Sequence, residues 1–123
     1  MQYSSKSGGL GQYIVHLRSS RKITCQHFAK LIGISTGYLS QLEHGVRVNP
    51  TSEIVLRIAN AINLSNAESQ ILFDLYAEET GQLPPDIIEY LLHHKNAQKA
   101  IRQARDAGFS AEDWEHFIEQ LKK

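Results

Sequence analysis

The stretch LIGISTGYLSQLEHG, Leu31 to Gly45, puts small and amide side chains where a solvated helix normally carries Lys and Glu. With Leu39 and Leu42 turned inward at helical spacing, Thr36, Gly37, Ser40, Gln41 and His44 fall outward. Such a face approaches and hydrogen-bonds more readily than it solvates. A Gln amide presents a donor beside an acceptor, which matches adenine N6/N7, and Thr offers a hydroxyl or a methyl. The chemistry within reach is recognition of polar edges in a groove, with no bond made or broken.

Other chemistry finds no foothold. The six His (His16, His27, His44, His93, His94, His116) share no metal-ligand spacing with Cys, and adjacent His93 and His94 point to different sides of a helix. No Gly-rich loop joins a strand to a helix, and no Ser/His/Asp set stands out. Asp86/Glu89 and Glu112/Asp113/Glu115 open helices, where the dipole accounts for them. The expectation is a protein that is not an enzyme, with no metal and no cofactor.

The elements that must hold the Leu31–Gly45 stretch are all helical. Strand alternation is absent, and apolar residues recur at helical spacing. Leu10, Ile14 and Leu17 mark a first helix, about Leu10 to Arg21. Thr24 caps a second, about Cys25 to Ile32, with Phe28, Ala29 and Ile32 inward. Gly33 suits its left-handed end. Ser35 caps a third, about Thr36 to His44, stopped by Gly45. Thr51 or Ser52 opens a fourth, with Ile54, Val55, Ile58, Ala59 and Ile62 on one face. Ser65 and Glu68 form a capping box for a fifth, about Asn66 to Glu79, its inner face Ala67, Ile71, Leu72 and Leu75.

TGQLPP, Thr80 to Pro85, is the strongest punctuation after that and marks a boundary. Beyond it, Pro85 starts a helix running to about His93, with Ile87, Ile88, Leu91 and Leu92 inward. Asn96 to Ala107 reads as another, closed by Gly108. Ser110 and Asp113 cap the last, which carries Trp114, Phe117, Ile118 and Leu121. The architecture expected is all-α: a flexible arm over residues 1–9, a five-helix domain over 10–79, and a three-helix extension over 80–123.

Composition bounds the setting. Hydrophobic residues make up 41%, near the globular norm. No apolar run approaches ~18 residues, so no membrane span is expected, and the first residues lack the apolar core of a secretory signal. A single Cys, Cys25, fits a reducing cytoplasm. The net charge of zero hides an asymmetry: Met1–Ile62 holds seven Lys/Arg against two acids, and Asn63–Lys123 holds six against eleven. A basic front half points to a polyanion partner.

Two short helices joined by about three residues containing Gly form a helix-turn-helix, whose second helix enters a major groove of ~12 Å width. LRSSRKITCQHFAKLIGISTGYLSQLEHG followed by NPTSEIVLRIANAI resembles the Xre/Cro-like helix-turn-helix family, the fold of phage lambda-type repressors. The resemblance covers about Leu10 to Ala77, some 55% of the chain. It rests on Arg18, Thr24, Phe28-Ala29, Gly33-Ile34-Ser35, Ser40, Glu43 and Gly45 at the family's spacing.

The resemblance implies a lambda-repressor-like domain and a structural ion pair between Arg18 and Glu43. It places Thr36, Gly37 and Gln41 against bases, and Tyr38 and Ser40 at the groove wall. Thr24, Gln26, Arg47 and Asn49 join Tyr38 and Ser40 as candidates for phosphate contact. One position departs from the family: Cys25 stands where a Gln usually begins the second helix, with Gln26 next. A thiol at a helix N-terminus can have a lowered pKa, which would make Cys25 redox-sensitive; the more common role for a Cys there is a small, semi-buried filler.

The function implied is a sequence-specific regulator of double-stranded DNA, a repressor binding a pseudo-palindromic operator as a homodimer. Ile88, Leu92, Trp114, Phe117 and Leu121 would supply the dimer or partner interface. The competing reading, which the amount of apolar surface in so short a segment disfavours, is that those stripes cover the first domain's exposed face. The alternative is an antitoxin- or inhibitor-type module that binds a partner protein through its C-terminal helices.

Overall fold

Thr24, Ser35, Thr51 and Ser65 each stand just before a helix in extended backbone, φ between −73° and −65°, and each side-chain oxygen accepts an amide three residues on. Four short polar residues thereby satisfy helix-start donors that have no intrahelical partner. The structure is a computed structural model that describes residues 9–46 and 50–123. Among those residues it is all-helical, with eight helices.

The chain divides into two compact units, Met1–Ile88 and Glu89–Lys123. In the first, α1 (Gly9–Ser20), α2 (Cys25–Ile32), α3 (Thr36–Glu43), α4 (Ser52–Ala61) and α5 (Asn66–Thr80) enclose one core. α1 packs on α3 and α5, α2 on α3 and α4, and α4 on α5, which makes a closed circuit. Ile14, Leu17, Phe28, Leu39, Ile58 and Leu72 are fully buried at its centre. The arm assigned to residues 1–9 lies outside the described residues except Gly9, the first residue of α1.

α5 corrects the sequence reading. Its buried residues are Leu72, Phe73, Leu75 and Tyr76, whereas Ala67 is exposed and Ile71 is 44% exposed. α5 meets both α1 and α4, so its covered face turns toward Phe73 and Tyr76. The inner face of α6 (Pro85–Leu92) also differs: Pro85 is buried, Ile88 and Leu91 are half-buried, and Ile87 and Leu92 are exposed.

The second unit carries α7 (Lys95–Asp106) and α8 (Ala111–Leu121). Gly108, at φ 75°, ends α7 and lets the Phe109 amide reach the Ala104 carbonyl. Ser110 and Asp113 then form a reciprocal capping box at the start of α8. Phe109 packs edge-on against Trp114, ring centres 5.1 Å apart. That is a hydrophobic staple, which fixes the angle at which the chain enters the helix.

Candidate nucleic-acid interface

The turn between α2 and α3 follows from local chemistry. Gly33 sits at φ 87°, a conformation open to glycine, and its amide and that of Ile34 both donate to the Ala29 carbonyl. Ile34 packs on the core, and Ser35 then accepts the Tyr38 amide at 3.0 Å to start α3. Leu39 and Leu42 anchor the inner side of α3.

Two further contacts fix α3 against α1. The Arg18 guanidinium grips the Glu43 carboxylate in a bidentate pair, Nε to Oε2 at 2.7 Å and NH2 to Oε1 at 3.0 Å. Its third nitrogen donates to the Ile23 carbonyl at 3.0 Å, so the pair also holds the loop before α2. The Glu43 side chain is 4% exposed. The hydrogen bond to Glu43 raises the Arg18 pKa further above its ordinary value, so the guanidinium stays charged. The second contact involves Gly11. A Cβ there would collide with the Leu42 carbonyl oxygen and come within 2.8 Å of that of Glu43. Sequence reasoning missed Gly11, although a glycine inside a helical stretch is itself a sign of close backbone approach.

On the outer side, Thr36, Gly37, Gln41 and His44 are exposed, and Tyr38 and Ser40 are half-buried. Gly37 has open space where a side chain would stand, and its backbone is ordinary helix. Among the described residues nothing therefore requires glycine at that position. The His44 ring folds back along α3, its Nδ1 2.7 Å from the Ser40 carbonyl oxygen and 3.4 Å from the Ser40 hydroxyl. The result is a low, polar surface one helix wide.

The flanks have mixed roles. Thr24 Oγ1 accepts the His27 amide at 3.1 Å, so its acceptor is engaged in capping and its hydroxyl proton remains for a donor role. Gln26 is exposed on the first turn of α2, where helix-start amides favour an anion. Thr51 caps α4 in the same manner. Arg21 is committed inward, to Glu68 at 2.9 Å and to the Leu17 carbonyl at 3.2 Å. Arg47 and Asn49 lie outside the described residues.

Cys25 does not have the lowered pKa expected of a thiol at a helix start. It packs partly buried against the core, and burial pushes the thiol up. The Glu43 carboxylate adds to that rise and Arg18 opposes it. Burial and Glu43 together disfavour the thiolate and favour reading Cys25 as a small semi-buried filler.

The residues assigned to an interface beyond Thr80 fall into two groups. Ile88 is half-buried, whereas Leu92 and, on α8, Trp114, Phe117 and Leu121 are exposed. Trp114 and Phe117 make an edge-on contact with ring centres 6.0 Å apart, and Phe109 extends this aromatic row. Phe109 was readable as the staple residue ahead of a Ser-x-x-Asp cap.

Among the described residues no helix is long and apolar enough to cross a membrane. A sequence model described as a helix-turn-helix domain matches residues 11–84, which includes all of α2, α3, α4 and α5. No curated protein and no solved structure matches the chain.

Proposed function

The chain belongs to the helix-turn-helix domain family, and from that premise we propose that it is a sequence-specific, double-stranded DNA-binding transcriptional regulator of the Xre/Cro-like, lambda-repressor type. In this reading α1–α5 form the DNA-binding domain and the helices after Thr80 an extension. It acts in the cytoplasm as a repressor, binding a pseudo-palindromic operator as a homodimer. Thr36, Gly37 and Gln41 read bases. Thr24, Gln26, Tyr38, Ser40, Arg47 and Asn49 meet phosphates, and Arg18–Glu43 hold the reading helix in place.

The observation that carries the reading is Gly37. It lies on the exposed side of a helix, with no described residue within 4 Å of where a side chain would start and no backbone need for glycine. A glycine there weakens the helix by up to ~1 kcal/mol relative to Ala. Close approach of a groove wall or a base to that face supplies the reason for it. The Arg18–Glu43 pair and Gly11 support the reading, because base contacts need a reading helix held rigidly.

The test is a selection of randomised duplexes by the purified protein, then titration of the best site at two salt concentrations. An inverted repeat, a steep fall of affinity with salt and a loss of preference in Gln41→Ala are expected. Weak, sequence-blind binding would overturn the reading. An antitoxin- or inhibitor-type role draws on the uncovered aromatic row of α8, and stable 1:1 capture of a cognate protein without operator binding would favour it.

A further inference from the structure

Glu89–Lys123 contains one buried hydrophobic side chain, that of Ala104. A unit of this size with so little interior cannot offset its own ordering entropy. Its two helices follow one another but do not pack along each other. The connection between them is locally fixed by Gly108, by the capping box of Ser110 and Asp113, and by the Phe109–Trp114 staple. Local chemistry therefore fixes the corner between α7 and α8.

The faces of α7 and α8 are complementary in size and in charge. α7 presents small residues, Ala97 and Ala100, beside Ile101 at helical spacing. α8 presents large ones, Trp114, Phe117, Ile118 and Leu121, between 37% and 68% exposed. α7 carries four cations against one acid, a net +3, and α8 carries four acids and no Lys or Arg, a net −4. Among the described residues, Lys95, Lys99 and Arg102 of α7 and Glu112 and Glu115 of α8 enter no ion pair. Arg105 and Glu115 border the two apolar faces.

We infer that α8 of one copy seats on α7 of a second copy, and the reverse, in a reciprocal two-fold exchange. The inference rests on the homodimer of the preceding section and names the surfaces that build it. Two-fold symmetry makes each contact twice: large side chains enter an alanine-lined face, and an acidic helix meets a basic one. Covering the aromatic and aliphatic residues of both copies buries on the order of 1,000 Å² of apolar surface, the scale a specific interface needs.

The pairing has a signature in full-length protein without DNA, read by sedimentation equilibrium. The wild type is a dimer. Arg102→Glu/Arg105→Glu turns α7 from net +3 to net −1 against an acidic α8, and Glu115→Lys/Glu119→Lys turns α8 from net −4 to net zero, with two cations added opposite a basic α7. Each variant alone dimerises more weakly by roughly tenfold or more, with its helicity and the melting of α1–α5 unchanged. An equimolar mixture regains the dimer as a mixed species, because at one seam the unaltered acidic α8 meets the unaltered basic α7, and at the other the introduced lysines meet the introduced glutamates. A monomeric wild type, variants that dimerise unimpaired, or a mixture no tighter than its components would each overturn the exchange. A monomer that mixing does not rescue would mean that the α8 face is covered within its own chain. Because no DNA enters the assay, failure to find an operator leaves this result independent.

Discussion

Gly11 of α1 stands where any side chain would strike the backbone carbonyl of Leu42 near the end of α3. α3 is thus seated backbone against backbone at one end and tied by Arg18–Glu43 beside it. Gly11→Ala forces the helices apart and should cost about 1–3 kcal/mol, the range for overpacking a tight site. Chemical denaturation should show a lowered midpoint with an unchanged slope. An equal or raised midpoint would show that α1 and α3 can separate at no cost.

Glu43→Ala leaves the Arg18 guanidinium, 18% exposed, facing an empty carboxylate site. Breaking one half of such a pair costs about 3–5 kcal/mol, a large part of a small domain's stability. The melting temperature should fall by many degrees. Because Arg18 also holds the Ile23 carbonyl, α2 should lose amide protection along with α3. An unchanged melt would remove the pair from the account of how α3 is held.

Gly37→Ala should move stability and binding in opposite directions. The helix gains up to ~1 kcal/mol, since the new methyl meets open space. Affinity for the selected operator should fall, because the methyl occupies the gap that lets the groove approach. Thermal melting and a binding titration on the same preparation check both signs. A variant that is more stable and binds equally well would leave Gly37 without a role at DNA.

Two glutamates give opposite pH signatures. The Ser65 amide, then Arg21, hold the Glu68 carboxylate below its ordinary pKa. Its stabilising contribution is full above the unfolded pKa and is lost as pH falls through the lower folded value. Burial, against a hydrogen bond from the Leu10 amide, pushes Glu79 up. Its ionisation therefore lowers stability as pH rises from the unfolded to the folded value. Denaturation midpoints across the acid range should show Glu68→Gln with a shallower acid limb and Glu79→Gln with stability better retained toward neutral pH. An acid limb unaltered by Glu68→Gln would remove the Ser65–Glu68–Arg21 cluster from the acid response.

What the sequence disclosed and what it hid divide along the range of the interactions. Thr24, Gly33, Ser35, Ser65 and Ser110 act on amides within a few residues, so the helix starts and the turn could be read directly. The outward set Thr36, Gly37 and Gln41 followed from the period of Leu39 and Leu42. The covered face of α5 could not be read this way, because Ile71 and Phe73 are both apolar and only the packing of α1 and α4 decides between them. Gly11 was hidden for the same reason: its constraint lies 31 positions along the chain, at Leu42. At Cys25 the helix position alone argues for a low pKa, whereas burial and Glu43 argue the other way and agree with a semi-buried filler.

The Glu79 carboxylate, near the end of α5, accepts the amide of Leu10 at the start of α1, 69 residues away, at 3.3 Å. The opening and closing turns of the α1–α5 circuit are therefore clasped. In mechanical terms, tension applied between residues 9 and 80 loads this clasp and the α1–α5 seam before it reaches α3. In topological terms, the circuit is a ring that the chain happens to enter at Gly9. A permutant that links residues 80 and 9 by a short flexible loop and opens the chain elsewhere would keep every helix pairing that seats α3.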